Sequence, residues 1–115
     1  MSIRTVSSRN GAEVRAARWY RLRGYRVLDR NCWLGGAELD LVVRRGQLLA
    51  FVEVKSKSGD RFGDPLEMVD AVKIGRIRRA AELWLATHSG LAALEVRFDV
   101  IAVRAGRIEH LPDAF

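Results

Sequence analysis

The sequence predicts an α/β domain whose elements follow in the order helix, strand, strand, strand, helix, strand. Residues 11–23 and 71–87 place apolar side chains at helical spacing. Between them, Leu39-Asp40-Leu41-Val42-Val43 and Leu48-Leu49-Ala50-Phe51-Val52 are rich in Val, Leu and Phe, with Arg44-Arg45-Gly46 as the break of a hairpin. Residues 96–103 then read as one more strand. At 115 residues the chain makes one domain with a real but modest core.

Met1 to Arg9 has no periodicity and is expected to be a flexible basic arm, leaving residues 10–115 as the single domain. Ser8 or Asn10 can cap the first helix, and Gly24 ends it. Trp19, Ala12, Ala16, Tyr20 and Ala17 share one stripe of that helix, while Arg15, Arg18 and Arg21 lie on the other side. Glu13 falls inside the apolar stripe. A glutamate is rarely buried unless it is paired, so Glu13 is either a first-turn acid favoured by the helix dipole or aimed at the end of the sheet. Tyr25-Arg26-Val27-Leu28 is a first strand, and Asp29-Arg30-Asn31 leads on to the hairpin.

With a two-residue turn at Arg45-Gly46, Val43 lies opposite Leu48, Asp40 opposite Phe51 and Glu38 opposite Glu53. Alternation then puts Glu38, Asp40, Glu53 and Lys55 on one face with Val42, Leu49 and Phe51. Leu39, Leu41, Ala50, Val52 and Val54 take the other face, so this is a strand pair apolar on both sides and central to its sheet. Three carboxylates and an ammonium at the end of such a pair are costly unless they serve something. One use is a hard divalent cation, which needs only one or two protein carboxylates. Asp40 and Glu53 are its candidate ligands, with the Val54 carbonyl as a third oxygen. Lys55 is placed to position or help deprotonate a water. The other use is a salt-bridge cluster in which Lys55 pairs with Glu53, and spacing alone does not separate the two.

Residues 56–65 are small and polar, a loop in which Lys57 and Arg61 stand beside the carboxylates, ready for a phosphate backbone. Asp70 can cap the second helix, whose apolar stripe is Ile74, Ile77, Ala81, Trp84, Leu85 and His88. Lys73 sits in its first turn, where the dipole disfavours a cation, which points to a functional use. His88 reads as a surface residue ending the helix. Arg107 to Leu111 is a short last strand.

Charge is unevenly placed. Of a net +6, residues 1–30 hold eight arginines against Glu13 and Asp29, and the remaining residues are neutral with 12 basic and 12 acidic groups. Such a patch suits polyanions, and arginine suits phosphate. One cysteine, Cys32, excludes an internal disulfide framework and a cysteine-built zinc site; it reads as a small half-buried hydrophobe. No apolar run approaches membrane-spanning length and no signal-peptide pattern is present, so a cytoplasmic protein is expected.

The order of elements, with Asp40 on the second strand and Glu53-Val54-Lys55 on the third, resembles the restriction-endonuclease-like PD-(D/E)xK nuclease superfamily. More closely, the chain resembles the bacterial YraN-like, Holliday-junction-resolvase-like family. Asn10-Gly11-Ala12-Glu13, Gly24-Tyr25, Arg30-Asn31, Glu38-Leu39-Asp40-Leu41, Phe51-Val52-Glu53-Val54-Lys55, Phe62-Gly63-Asp64-Pro65, Arg97-Phe98-Asp99-Val100 and Ile108-Glu109-His110 carry the likeness, from Gly11 to nearly the last residue. Ala37 departs from it, where the family usually has glycine before the acid. The resemblance implies a restriction-endonuclease-like αβββαβ core, a central mixed sheet flanked by helices. It implies Glu13, Asp40, Glu53 and Lys55 as an active-site set, with Glu38 next. It also implies Mg²⁺ or Mn²⁺ as cofactor, nucleic acid as substrate (DNA before RNA, branched DNA included) and a homodimer as one arrangement. Arg15, Arg18, Arg21, Lys57, Arg61 and Lys73 are the candidate phosphate contacts. The expected activity is that of a metal-dependent nuclease; the alternatives are a non-catalytic nucleic-acid-binding module that keeps the fold, and a bare structural domain.

Overall fold

The structure is a computed structural model that describes residues 11–57 and 70–115. Helix α1 (Gly11–Leu22) leads into β1 (Arg26–Leu34), β2 (Ala37–Arg45) and β3 (Leu48–Lys57); α2 (Ala71–Ala86), β4 (Glu95–Arg104) and β5 (Arg107–Leu111) follow. The five strands form one sheet in the order β1-β2-β3-β4-β5. All neighbours are antiparallel except β3 and β4, which run parallel and are joined across α2, so the sheet is mixed. The expected αβββαβ order is present, with β5 added at the edge. The arm over Met1 to Arg9 and its capping residues, and the loop carrying Arg61, lie outside the described residues.

Local chemistry sets the element ends. Gly24, at φ 87°, closes α1 in a Schellman arrangement: the Tyr25 amide donates to the Tyr20 carbonyl at 3.1 Å and the Gly24 amide to the Arg21 carbonyl at 3.1 Å. Asp70 caps α2, its Oδ1 accepting from the Lys73 amide at 2.8 Å. Helix α1 buries Ala16, Ala17 and Tyr20 against Leu41, Val43, Ala50, Val52 and Ile101. On the opposite face α2 buries Ile77, Ala80, Ala81 and Trp84 against Val42, Leu49, Phe51 and Val100. With both faces covered, β3 is the apolar central strand expected. Cys32 is half-buried at the rim of the α2-side cluster.

Three features differ from the expectation. The hairpin turn is Gly46-Gln47, since Arg45 pairs with Leu48 and Val42 with Phe51. Gly46, at φ 60°, takes the first turn position, where a primed hairpin turn needs a positive φ. Moving the turn one residue slides each partner by two, which preserves the faces but brings Asp40, not Glu38, level with Glu53. Second, strands run longer: β1 reaches Leu34 and pairs with β2, and β3 includes Ser56 and Lys57, which pair with Val103 and Arg104. Third, the alternation breaks at Asp40. Leu39 packs on the α2 side with Val42, whereas Leu41 packs on the α1 side. Across from it Asn31 is left-handed at φ 50°, a conformation that asparagine tolerates better than most residues. The four charged residues therefore do not share one face. Glu38 meets α1 and Glu53 meets α2.

Candidate functional site

The pairing of β2 with β3 ends at Leu41 and Val52. One step further the strands diverge, and the Val54 amide donates to Asp40 Oδ2 at 2.8 Å, a side-chain carboxylate standing where a ladder carbonyl would accept. The divergence opens a cleft of about 660 Å³ at the end of the sheet, between the first turns of the two helices. Glu13 from α1, Glu38 and Asp40 from β2, Glu53 and Lys55 from β3, and Lys73 from α2 line it.

Glu13, Glu38 and Asp40 each offer a carboxylate oxygen within 4.8 Å of the other two. Asn31 ties them together: its Nδ2 donates to Glu13 Oε2 at 2.7 Å and reaches Glu38 Oε2 at 3.5 Å. The second oxygen of Glu13, Oε1, is buried and has no hydrogen-bond partner among the described residues. Asp40 is 8 % exposed and Glu53 4 %. Burial, then the charge of Glu53, and then those of Glu13 and Glu38 push the Asp40 carboxyl up to about 9, against the Val54 hydrogen bond. Three acids so close, one of them with a buried unpartnered oxygen, are short of positive charge. That is the donor set a hard divalent cation takes, and among the described residues no metal-binding sulfur or imidazole lines the cleft.

Glu53 is held differently. Its Oε2 lies 2.6 Å from Lys73 Nζ and 3.2 Å from Lys55 Nζ. Burial lowers the Lys55 ammonium below its usual range, and Lys73 adds to this. Against burial, the hydrogen bond to Glu53 keeps Lys73 above its usual range. Both readings of the hairpin thus have a physical counterpart: a cation-poor acid cluster around Asp40, and an ion-pair cluster on Glu53.

Of the candidate phosphate contacts, Arg15, Arg18 and Arg21 are exposed on the outer side of α1. Arg15 points toward the β4–β5 turn, 3.8 Å from where a Cβ on Gly106 would sit. Lys73 lines the cleft. Lys57 is fixed through its backbone pairing with Arg104, and its side chain, like Arg61, lies outside the described part. His88 lies just past α2, after its Thr87 cap, and is exposed and stacked on Trp84 with ring centroids 3.7 Å apart.

Sequence reasoning gave Asn31 no chemical role, although asparagine between two strand halves is itself a signal for a left-handed kink. It also passed over Arg76 and Trp33, which line the cleft. No helix among the described residues is long and apolar enough to cross a membrane.

Comparison with known proteins supports the likeness of sequence. The profile of a family described as "Uncharacterised protein family UPF0102" matches residues 12–103. A UPF0102 protein of Beutenbergia cavernae is 50% identical over 84% of this chain and 85% of its own length. One of Anaeromyxobacter dehalogenans is 45% identical over 90% of this chain and 79% of its own. A third, from Frankia casuarinae, is 43% identical over the full length of both. Glu13, Glu38, Asp40, Glu53, Lys55 and Lys73 all fall within the matched residues, and the chain belongs to the UPF0102, or YraN-like, family.

Proposed function

We infer that the chain is a divalent-metal-dependent phosphodiesterase acting on nucleic acid, DNA before RNA. The observation that carries this reading is the acid cluster of Glu13, Glu38 and Asp40 within 4.8 Å, with Glu13 Oε1 buried and without a hydrogen-bond partner among the described residues. A structural ion-pair network would satisfy that oxygen with a cation of its own. Asp40, with Glu13, Glu38 or Glu53 beside it, would hold Mg²⁺ or Mn²⁺, which would supply charge neutralisation at a phosphodiester and a more acidic water.

The residues of the chain do the rest. Asp40, fixed by the Val54 amide, holds its carboxylate at the mouth of the strand gap. Glu13, oriented by Asn31, accepts a hydrogen bond from the attacking water. Lys55, whose burial eases loss of its proton, lies on the Glu53 side, where it contacts that water or a phosphate oxygen. Water oxygen bonds to phosphorus as the bond to the leaving oxygen breaks; the water proton passes to a nearby base, and the leaving oxygen takes a proton from solvent. Lys73 keeps its charge and neutralises developing negative charge. Arg15 and Arg18, exposed on α1, bind phosphates along the backbone.

One observation favours a second reading. Lys73 and Lys55 already neutralise Glu53, as they would in a nucleic-acid-binding module that keeps the fold without cleavage. A panel of single-stranded, duplex and branched DNA and RNA with Mg²⁺ separates the two. For the enzyme, cleavage disappears in Glu53→Gln, while Lys55→Ala still binds metal and loses most of its rate, because its role lies in the chemical step. For the module, the wild-type protein cleaves nothing on the panel, and the substitutions change stability alone.

A further inference from the structure

Trp33 is the odd tryptophan of the chain. Trp84 is buried and donates its indole N–H to Asp29 at 3.1 Å, and Trp19 is half-buried, with the Arg23 guanidinium 3.8 Å from its ring centroid. Trp33 is 64% exposed and lines the cleft. Among the described residues no hydrogen bond or ring contact engages its indole. An isolated exposed aliphatic residue needs no account, but an unpartnered indole at the mouth of a charged cleft does.

Its placement is firm. Trp33 pairs across the strands with Glu38, a member of the acid cluster. Cross-strand partners stand roughly 5 Å apart at Cβ, so the ring lies beside the candidate metal site. The turn next to it, Gly35-Gly36, has φ 59° and 81°, and it sits so close to α2 that a Cβ on Gly35 would come 2.7 Å from Leu83 Cδ1. The ring is thus carried on a hairpin tip whose backbone is braced on a helix. Lys55, Lys73 and Arg76 stand along the same cleft. A flat aromatic face with cations beside it is the combination that takes a nucleotide: the base stacks, and the phosphate meets the ammonium groups.

We propose that Trp33 is a stacking platform for an unpaired base, so that the cleft takes a nucleotide freed from its complement (in a single strand, an overhang or a flap) in preference to one inside a duplex. A base within a duplex has its faces covered by its neighbours and cannot lie on the indole without being extruded. This inference rests on the nucleic-acid reading above and specifies its substrate.

The test is fluorescence anisotropy with labelled blunt duplex, overhang duplex and single strand of matched length, at one salt concentration. It is run both with EDTA and with Ca²⁺, on wild type, Trp33→Ala and Trp33→Phe, with the oligomeric state measured in parallel. Wild type binds the overhang and the single strand more tightly than the blunt duplex. Trp33→Ala lowers that preference roughly 5- to 150-fold, the range of one lost base stack. Trp33→Phe keeps most of it, because a ring remains. Three results overturn the inference while leaving the nucleic-acid reading intact: wild type without preference, an unchanged ratio in Trp33→Ala, or a change of oligomeric state as the main effect of Trp33→Ala. The last would make the indole a contact between two copies of the chain. Absence of binding by wild type to any of the three probes removes both readings together.

Discussion

Two buried carboxylates on the same sheet have met opposite fates. Asp99, fully buried on β4, accepts from the Tyr20 hydroxyl at 2.8 Å and from Arg97 Nε and a terminal guanidinium nitrogen at 2.7 and 2.8 Å. The Asp113 amide donates to it at 3.1 Å, and His110 Nε2 lies 2.9 Å away. Asp40, almost as buried, has one amide donor and three acids around it. Burial would raise both carboxyls. At Asp99 the hydrogen bonds from His110, Arg97, Tyr20 and the Asp113 amide outweigh it and hold the group far below the usual carboxylate range. At Asp40 the Val54 hydrogen bond alone opposes burial, and the neighbouring acids add to the burial and outweigh it. The same chain can satisfy an acid completely where that acid serves the fold. It ties α1 to β4 and β5 through Asp99, and it gathers Glu13, Glu38 and Asp40 where a metal ion could be held.

Removing the satisfied acid has the largest effect on folding. Asp99→Ala leaves the Arg97 guanidinium and the Tyr20 hydroxyl without their partner, a class of change that costs about 3–5 kcal/mol. Chemical denaturation at pH 7 should show a loss of that size, a large share of the stability of a domain of this length. The milder Asp99→Asn loses less, and its deficit shrinks as the pH is lowered. A depressed folded pKa gives stability that is present above the unfolded value, about 3.9, and is lost as pH falls through the folded value.

The opposite sign is expected at Asp40. Its folded pKa of about 9 lies above the reference value of 3.8. Its contribution is therefore fully present below 3.8 and is lost as pH rises through 9. Asp40→Asn keeps an oxygen for the Val54 amide and removes the charge, so without metal it should be more stable than wild type. The gain grows across that window, so it is larger at pH 8 than at pH 5. Melting curves at pH 5 and pH 8 in EDTA test this. A gain independent of pH would show that the acids are not crowding one another.

The smallest change in stability, with a clear consequence for the site, is expected at Asn31. Asn31→Gly keeps the left-handed backbone and deletes the donor to Glu13. Stability should fall by about 1 kcal/mol. Affinity for Mn²⁺ should fall roughly tenfold, the lower end of what losing a residue that orients a ligand costs. An Asn31→Gly protein with full metal affinity would detach Asn31 from the site and leave it a backbone residue.

Much of this was legible in the sequence, for physical reasons. Alternation and helical spacing report burial, so α2 and the central strand pair could be read from Ile77, Trp84, Val42 and Phe51, and the Gly24 stop from its need for positive φ. Glu13 stood out because a charged residue sat inside an apolar stripe. The face of Glu38 could not be read, because the pattern of β2 slips at Asp40, where Asn31 kinks the facing strand, and nothing in the period of β2 itself announces that. The pairing of Glu53 with Lys73 was equally hidden: it joins a strand to a helix far along the chain. Asp99 was visible as an acid within Phe98-Asp99-Val100-Ile101, but its partners come from α1, β5 and beyond, and only the fold collects them.

The central claim, that the cleft acids await a divalent cation, is tested most directly by calorimetric titration of Mn²⁺ into the wild-type protein and into Asp40→Asn, without nucleic acid. The account predicts saturable binding by the wild type, accompanied by a rise in melting temperature, and loss of both in Asp40→Asn. A wild type that binds no Mn²⁺, or an Asp40→Asn protein that binds it equally well, would contradict it.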